Sequence, residues 1–201
     1  MLESSPAQDR AGREDAEIDM RKTVAGLFVS LDGVVEAPEK WTGPYFGPDV
    51  GRVVGSLIAG GDTLLLGRVT YQTFAASFSG DTSGDPMAAQ MNGFAKVVVS
   101  TTLERAEWQN STLVNGDVEV AVTELKQREG KDINISGSAT LVARLLRNGL
   151  LDELHLLVFP VVVGEGRHLF GEGGSPVPLA LASHEAFDSG VLHLEYHPAA
   201  V

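Results

Sequence analysis

The sequence predicts an α/β protein built on a mostly parallel sheet with helices on both faces and antiparallel strands at one side. Three observations carry that expectation. Short apolar runs alternate with helix-periodic stretches from Arg21 to Gly149, the rhythm of strand–helix–strand units. Glycine and small polar residues punctuate the junctions between them. The last fifty residues then change to strand-like runs, two of which are joined by Asp188-Ser189-Gly190, a turn suited to a hairpin.

The elements follow in order. "RKTVAGLFVSLDG" reads as a strand ending near Ser30, and a long Gly/Pro/aromatic loop, "VVEAPEKWTGPYFGPD", comes after it. "DVGRVVGSLIAGG" reads as a helix with Asp49 at its N-cap and Gly60 or Gly61 past its end. In "DTLLLGRVTYQTF" the run Leu64 to Leu66 is a short buried strand; it ends in Gly67 and Arg68, and Thr70, Tyr71 and Phe74 then take up helical spacing. "SFSGDTSGDP" is a surface loop, and "PMAAQMNGF" a short helix with Pro86 in its first turn.

"KVVVSTTL" is the third strand, breaking at Ser100, Thr101 and Thr102, and "STLVNG" is a brief fourth. "DVEVAVTELKQREG" is an amphipathic helix with Val118, Ala121, Val122 and Leu125 on one face. "KDINISGSATLVARLLRNG" is a strand, a polar glycine turn and a helix, with Gly149 where a C-terminal cap belongs. "LDELHLLVFPVVVG", "PLALASHEAF" and "VLHLEYHP" are the closing strands. Strand order does not follow from this pattern.

Composition narrows the function. The chain has 201 residues, 43% of them hydrophobic, enough for a substantial core. Its formal net charge is -12 and its 15 Lys and Arg are scattered, which argues against nucleic acid and against an anionic membrane surface. An anionic small molecule would need a local donor site working against that field. No apolar run is long enough to span a bilayer; the longest, "LHLLVFPVVVG", is interrupted by His155 and Pro160. Cysteine is absent, which excludes disulfides, thiolate metal sites and cysteine nucleophiles, and a cytoplasmic location is expected. Residues 1–20 are polar, of mixed charge and without a hydrophobic signal segment, and read as a disordered extension. Residues 21–201 are expected to form one domain.

Three strand exits share a chemistry: Gly67-Arg68-Val69-Thr70, Ser100-Thr101-Thr102 and Ser136-Gly137-Ser138-Ala139-Thr140. Ligands of open α/β sheets bind beyond the carboxyl ends of the strands. Helix N-termini attract phosphate, glycine permits close backbone approach, and arginine adds a planar charged fork. Each exit alone also reads as an ordinary turn with a cap. Together they point to a binding edge, because a cap does not require Arg68. Neither G-x-G-x-x-G nor G-x-x-x-x-G-K-[ST] occurs.

"FVSLDGVVEAP", "DTLLLGRVTYQTF", "KVVVSTTLERAEW", "INISGSATLVARLL" and "LDELHLLVFPVVVGEGRHLF", in that order, resemble the dihydrofolate reductase-like family, and within it the branch of the riboflavin-biosynthesis deaminase-reductase. The resemblance covers about residues 21–198. It implies a three-layer fold and NADPH at the sheet edge. By motif, Arg68 and Thr70 would hold the adenosine 2′-phosphate, with Gly67 and Val69 shaping the turn. Ser100, Thr101 and Thr102 would line the adenosine side, and Ser136, Gly137, Ser138, Ala139 and Thr140 would receive the pyrophosphate.

Candidates for the chemistry are fewer. Asp32, in "SLDG", reads equally as a contact to substrate or as an Asp-Gly turn residue. Asp49 lies near the acidic residue of dihydrofolate reductases, although the spacing to the Gly-Arg motif differs, so the cap reading ranks above proton donor. Trp41, Tyr45 and Phe46 either stack on a heterocyclic substrate or cover the core. Pro160, Gly164, Glu165 and Gly166 resemble a family segment beside the active site, with the glycines shaping the turn and Glu165 a polar contact or a solvated charge. The five histidines include no i, i+4 pair on a helix, since His193 and His197 lie in a strand-like run, and no metal is expected. Asp152-Glu153 is expected to face water.

The leading expectation is therefore an NADPH-dependent reductase of a small heterocyclic or carbonyl/imine substrate, paired as a homodimer through its C-terminal strands. The alternatives are a nucleotide-binding module without turnover and the riboflavin-pathway reductase proper. Against the second, the chain lacks the P-C-x-x-C signature of the deaminase that accompanies it in bifunctional relatives, having no cysteine at all.

Overall fold

A computed structural model describes residues 20–80, 84–171 and 175–199; the extension read at 1–20 lies outside them apart from Met20. Among these residues the strands are β1 (Thr23–Ser30), β2 (Gly61–Gly67), β3 (Ala95–Val99), β4 (Ser111–Val114), β5 (Asp132–Ser136), β6 (Glu153–Phe159), β7 (Leu179–Ala186) and β8 (Leu192–Pro198). The helices are α1 (Pro48–Gly60), α2 (Arg68–Phe78), α3 (Pro86–Gly93), α4 (Val118–Lys126) and α5 (Ala139–Arg147). All strands join one sheet in the order β4-β3-β2-β5-β1-β6-β8-β7. From β4 to β6 the neighbours are parallel; β8 runs antiparallel to β6, and β7 to β8. The fold class is the one the alternation predicts.

Side-chain alternation along the strands sets the layers. Leu65 of β2 joins Ala25, Leu27, Ile133 and Ile135 under α4 and α5. Its neighbours Leu64 and Leu66 turn the other way, to Tyr71 of α2, Met91 of α3, Phe94 and Trp108. On that same side Val50 and Val53 of α1 pack on Leu157 and Phe159 of β6. The strands buried on both faces are those the sequence writes as continuous apolar runs. No helix among the described residues is long and apolar enough to cross a membrane.

Two connections cross over the middle of this sheet. The link from β1 passes through α1 to β2, and the link from β5 passes through α5 to β6, so neighbours β5 and β1 send their chains in opposite directions. Such a reversal opens a crevice beyond the carboxyl ends of the two strands. β1 also outruns β5: Gly26 is level with Ser136, while Leu27 to Ser30 pair only with β6.

Some local expectations are corrected. Asp49 is not the α1 cap; the cap position is Gly47 and Pro48 opens the helix. Proline has no N–H to satisfy and its φ is already helical, so the start moves ahead of Asp49. The helix runs through Gly60 directly into β2. Asp152 does not simply face water: its carboxylate accepts from the Thr23 N–H (2.7 Å), the Thr23 hydroxyl (2.9 Å) and Lys126 Nζ (2.6 Å), tying β1 to the start of β6. Glu153 pairs with Lys22 at 2.9 Å.

Lys96, the second residue of β3, is buried at 1% exposure. Its ammonium donates to the carbonyls of Met91 (3.0 Å), Asn92 (3.2 Å) and Phe94 (2.9 Å), the orphaned acceptors at the end of α3. It also lies 4.2 Å from the centre of the Trp108 ring. Burial pushes its pKa down to about 8. Replacing it with methionine leaves those carbonyls without their cation, and a loss of about 2 kcal/mol in urea unfolding is expected. Between about pH 8 and the unfolded value of 10.5 the unfolded chain holds the extra proton. The stability of wild type relative to Lys96→Met should therefore rise with pH across that window.

Candidate functional site

Two of the three polar strand exits are joined. The Ser138 hydroxyl accepts the Gly67 N–H at 2.9 Å and donates to Thr70 Oγ1 at 2.8 Å, linking the β2–α2 turn to the β5–α5 turn. The approach depends on missing side chains. A Cβ on Gly67 would stand 3.2 Å from Ser138 Oγ, and one on Gly137, at φ +62°, would stand 3.3 Å from the Thr70 side chain. Ser138 is itself left-handed at φ 56° and occupies the N-cap position of α5 without capping it.

Neither α2 nor α5 has a side-chain cap, whereas α3 and α4 are capped by Asp85 and Asp117. The cap reading therefore does not account for these two exits. Their hydroxyls serve the joint, and the helix starts keep their positive ends directed at the crevice edge. Arg68 and Val69 are exposed on the first turn of α2, with Arg68 Nη1 held by Gln72 Oε1 at 3.0 Å. Ala139 is buried and Thr140 is exposed at the start of α5.

The third exit is adjacent, since Val99 is level with Gly67. Here the plain reading holds for one residue: the buried Ser100 hydroxyl accepts from the N–H groups of Thr102 (3.1 Å) and Leu103 (2.9 Å). Thr101 and Thr102 are exposed beside it.

On the other side of the crevice the loop after β1 is braced by the segment after β6. Leu31 donates to the Val161 carbonyl, Val35 to that of Arg167, and Leu169 to that of Gly33. Asp32 completes the brace: its carboxylate accepts from Ser30 Oγ (2.6 Å), the Gly164 N–H (2.8 Å) and the Val163 N–H (3.1 Å). Those bonds, the Ser30 hydroxyl first, pull its pKa down to about 2. A carboxylate so satisfied is an acceptor near neutral pH, which suits the turn reading of Asp32. Asp49 is exposed in the first turn of α1 and its nearest cation is Arg52, 3.8 Å away.

The aromatic candidates meet around Phe159, which is fully buried at the end of β6. Trp41 and Tyr45 present edges to it at 5.6 and 6.3 Å, and Phe28 at 5.4 Å. Phe46, 49% exposed, stands against Phe28 at 6.1 Å. Trp41 Nε1 is held by the Glu36 carbonyl and the Tyr45 hydroxyl by that of Pro160 (3.4 Å). Glu165 is exposed between Gly164 and Gly166, both at positive φ.

Residue-by-residue reading missed Arg167. Its Nη1 reaches Thr140 Oγ1 at 3.3 Å, bringing a second guanidinium to the start of α5, while its N–H donates to Glu36 Oε2 at 2.8 Å. Nothing near it in sequence announces that placement, which depends on residues 161–169 folding back along residues 31–36.

Residues 21–193 match the family model described as the RibD C-terminal domain. The uncharacterised protein YyaP of Bacillus subtilis is 28% identical over 186 residues, covering 90% of this chain and 96% of YyaP. A putative riboflavin biosynthesis protein from Shewanella sp. PV-4 superposes with a TM-score of 0.71 at 23% identity, over 89% of this chain and 99% of that one. Dihydrofolate reductase from Enterococcus faecalis, complexed with NADP(H) and RAB-propyl, superposes with a TM-score of 0.59 at 18% identity, over 89% and 97% of the two chains. These structural likenesses show a shared fold.

If Asp32 is a brace, Asp32→Ala should free the Val163 and Gly164 amides. Their hydrogen exchange is expected to accelerate by about tenfold or more, as for loss of a bond to a charged acceptor. In wild type the Asp32 contribution is complete above its ordinary pKa of 3.8 and is lost as pH falls through about 2. Acid titration should therefore loosen the same two amides, and unchanged exchange in both experiments would refute the brace.

Proposed function

The chain belongs to the RibD C-terminal domain family, and from that premise we propose that it is an NADPH-dependent reductase, transferring hydride to a small heterocyclic or carbonyl/imine substrate. The observation that carries this reading is the Ser138 joint, which sets two uncapped helix starts side by side at the sheet's carboxyl edge. In this reading α5, from Gly137 to Thr140, receives the pyrophosphate, and Arg167 beside Thr140 adds charge to the same subsite. Arg68 at the start of α2 takes the 2′-phosphate, with Thr70 positioned by Ser138. Thr101 and Thr102 flank the adenosine.

NADPH, when bound there, supplies the hydride; the protein supplies orientation and a dry surface. The aromatic group of Trp41, Tyr45 and Phe46 around Phe159 offers faces and edges for a flat heterocycle, and Pro160 closes that wall. Asp32 keeps its proton off near neutral pH and holds the wall through Val163 and Gly164, so the proton that completes reduction comes from water. The same observation favours a second reading, a module that holds the nucleotide without turnover. Loss of NADPH absorbance on adding candidate heterocycles distinguishes the two.

The reading extends to assembly. β7 is an edge strand with every residue from Ala180 to Ala186 exposed; Leu181 is 50% exposed, and Leu192 on β8 is 41% exposed. Edges of this kind are covered by pairing, and a homodimer through β7 and β8 is part of the proposal. Sedimentation should give twice the chain mass for wild type and the single mass for Leu181→Glu.

The test of the cofactor is a fluorescence titration with NADPH and NADH. Wild type should prefer NADPH, and Arg68→Ala should lose roughly tenfold or more for NADPH while leaving NADH unchanged. Binding of neither nucleotide would overturn the reading.

A further inference from the structure

The antiparallel end of the sheet carries a polar cluster that the reductase reading does not use. We propose that Glu153, His155 and Glu195 form a binding site for one divalent first-row transition-metal ion. Their ligand atoms all lie within 4.8 Å of one another. Strand geometry puts them together: Glu153 and His155 are two apart on β6 and share a face, and His155 is directly opposite Glu195 on β8. A search for helical i, i+4 pairs passes over such a set, because strand ligands recur every second residue. "ELH" and "HLEYH" carry that period.

The donor chemistry fits a dication. Two carboxylates and a neutral imidazole bring two negative charges and one nitrogen, a mixture suited to zinc, manganese or iron rather than to magnesium or calcium. The histidine side chain is nine-tenths buried, at 9% exposure, which fixes its plane.

Each ligand is also held from behind. His155 presents Nε2 toward Glu153 Oε2 at 3.4 Å, while its Nδ1 meets His193 Nε2 at 3.1 Å. With Nδ1 donating to His193 Nε2, His155 has its Nε2 left to face a metal. Glu153 Oε1 is tied to Lys22 (2.9 Å), and Oε2 faces His155 Nε2 across the place where the ion would sit. Glu195 accepts from Ser183 Oγ (2.8 Å) and contacts His197 Nε2 (2.9 Å).

A metal needs ligand atoms about 3–3.5 Å apart, given bonds of about 2.0–2.2 Å. Small rotations of the two glutamates reach that from the present spacing. Three protein ligands leave coordination positions open. A cavity of about 440 Å³ on the α1 side, lined by Arg52, His155, His193 and Glu195, gives those positions room for water or a small anionic ligand. The ion would also cross-link β6 to β8.

The experiment uses the full chain, stripped with EDTA and titrated calorimetrically with Zn²⁺, with Co²⁺ as the optical probe. A single Zn²⁺ per chain is expected for wild type and for His168→Gln, which lies outside the cluster. Glu195→Gln and His155→Gln should each weaken binding by about tenfold to a hundredfold or more and abolish the rise in thermal midpoint that Zn²⁺ gives wild type. Imidazole ¹⁵N shifts of the unsubstituted protein provide the reading that needs no variant: Zn²⁺ should move His155 Nε2 and leave Nδ1 protonated. No binding below millimolar Zn²⁺ or Co²⁺, binding indifferent to both variants, or a shift confined to other histidines would overturn the site.

Discussion

The Ser138 hydroxyl is the contact on which the sheet edge depends. It spans two turns that are 71 residues apart in sequence and holds them within bonding distance of each other. That hydroxyl does not cap its own helix, and the alternative partner it chooses is the backbone of the neighbouring turn. Capping would satisfy α5 locally; bridging leaves the α5 start available and fixes its position relative to α2. The two glycines allow this at the cost of conformational entropy in the unfolded chain, since each side chain added there would meet Ser138 or Thr70.

The joint in turn requires β5 to sit between β2 and β1, which is a matter of long-range order. β5 arrives late in the chain and inserts between strands already separated by the α1 crossover. Apolar fit enforces the insertion: Ile133 and Ile135 face α4 and α5 together with Ala25, Leu27 and Leu65 from both flanking strands. Asn134, pointing the other way, donates to the Leu57 carbonyl near the end of α1 at 2.8 Å, so a buried polar side chain fixes the register that apolar contacts alone would leave loose.

How much of this the sequence discloses depends on the range of the interaction. Strands and helices were legible because alternation and helical spacing are local, as with Leu64 to Leu66 passing through Gly67 into the helix of Tyr71 and Phe74. Residue type at the exits was legible too, since Gly67, Thr70, Gly137 and Ser138 do converge. The cap was misplaced by two residues, at Asp49 rather than Gly47, because Pro48 competes for the helix start, a rule also visible in the sequence. Arg167, and the use of Asp32 as an acceptor for Val163 and Gly164, were not legible; both arise when residues 161–169 fold back on residues 31–36, a pairing over more than 120 residues. The Glu153, His155 and Glu195 set falls between these cases, its period being local and its cross-strand register not.

A chain of net charge -12 presents an apparent obstacle to binding a polyanion at this edge. Charge is screened over about 8 Å at physiological ionic strength, so distant carboxylates count for little and the nearest groups decide. Two carboxylates beside this edge are engaged, Asp32 accepting two backbone N–H groups and a hydroxyl and Glu36 the Arg167 N–H, while Glu165 faces solvent. The nearest cations, Arg68 and Arg167, are exposed and bound only to neutral side-chain oxygens of Gln72 and Thr140. Among the described residues neither is paired with a carboxylate, in contrast to Arg21, Arg52 and Arg144, which are all paired with Asp or Glu. Two exposed guanidinium groups and two uncapped helix starts therefore offer anion donors at this edge, although the charge of the whole chain is negative.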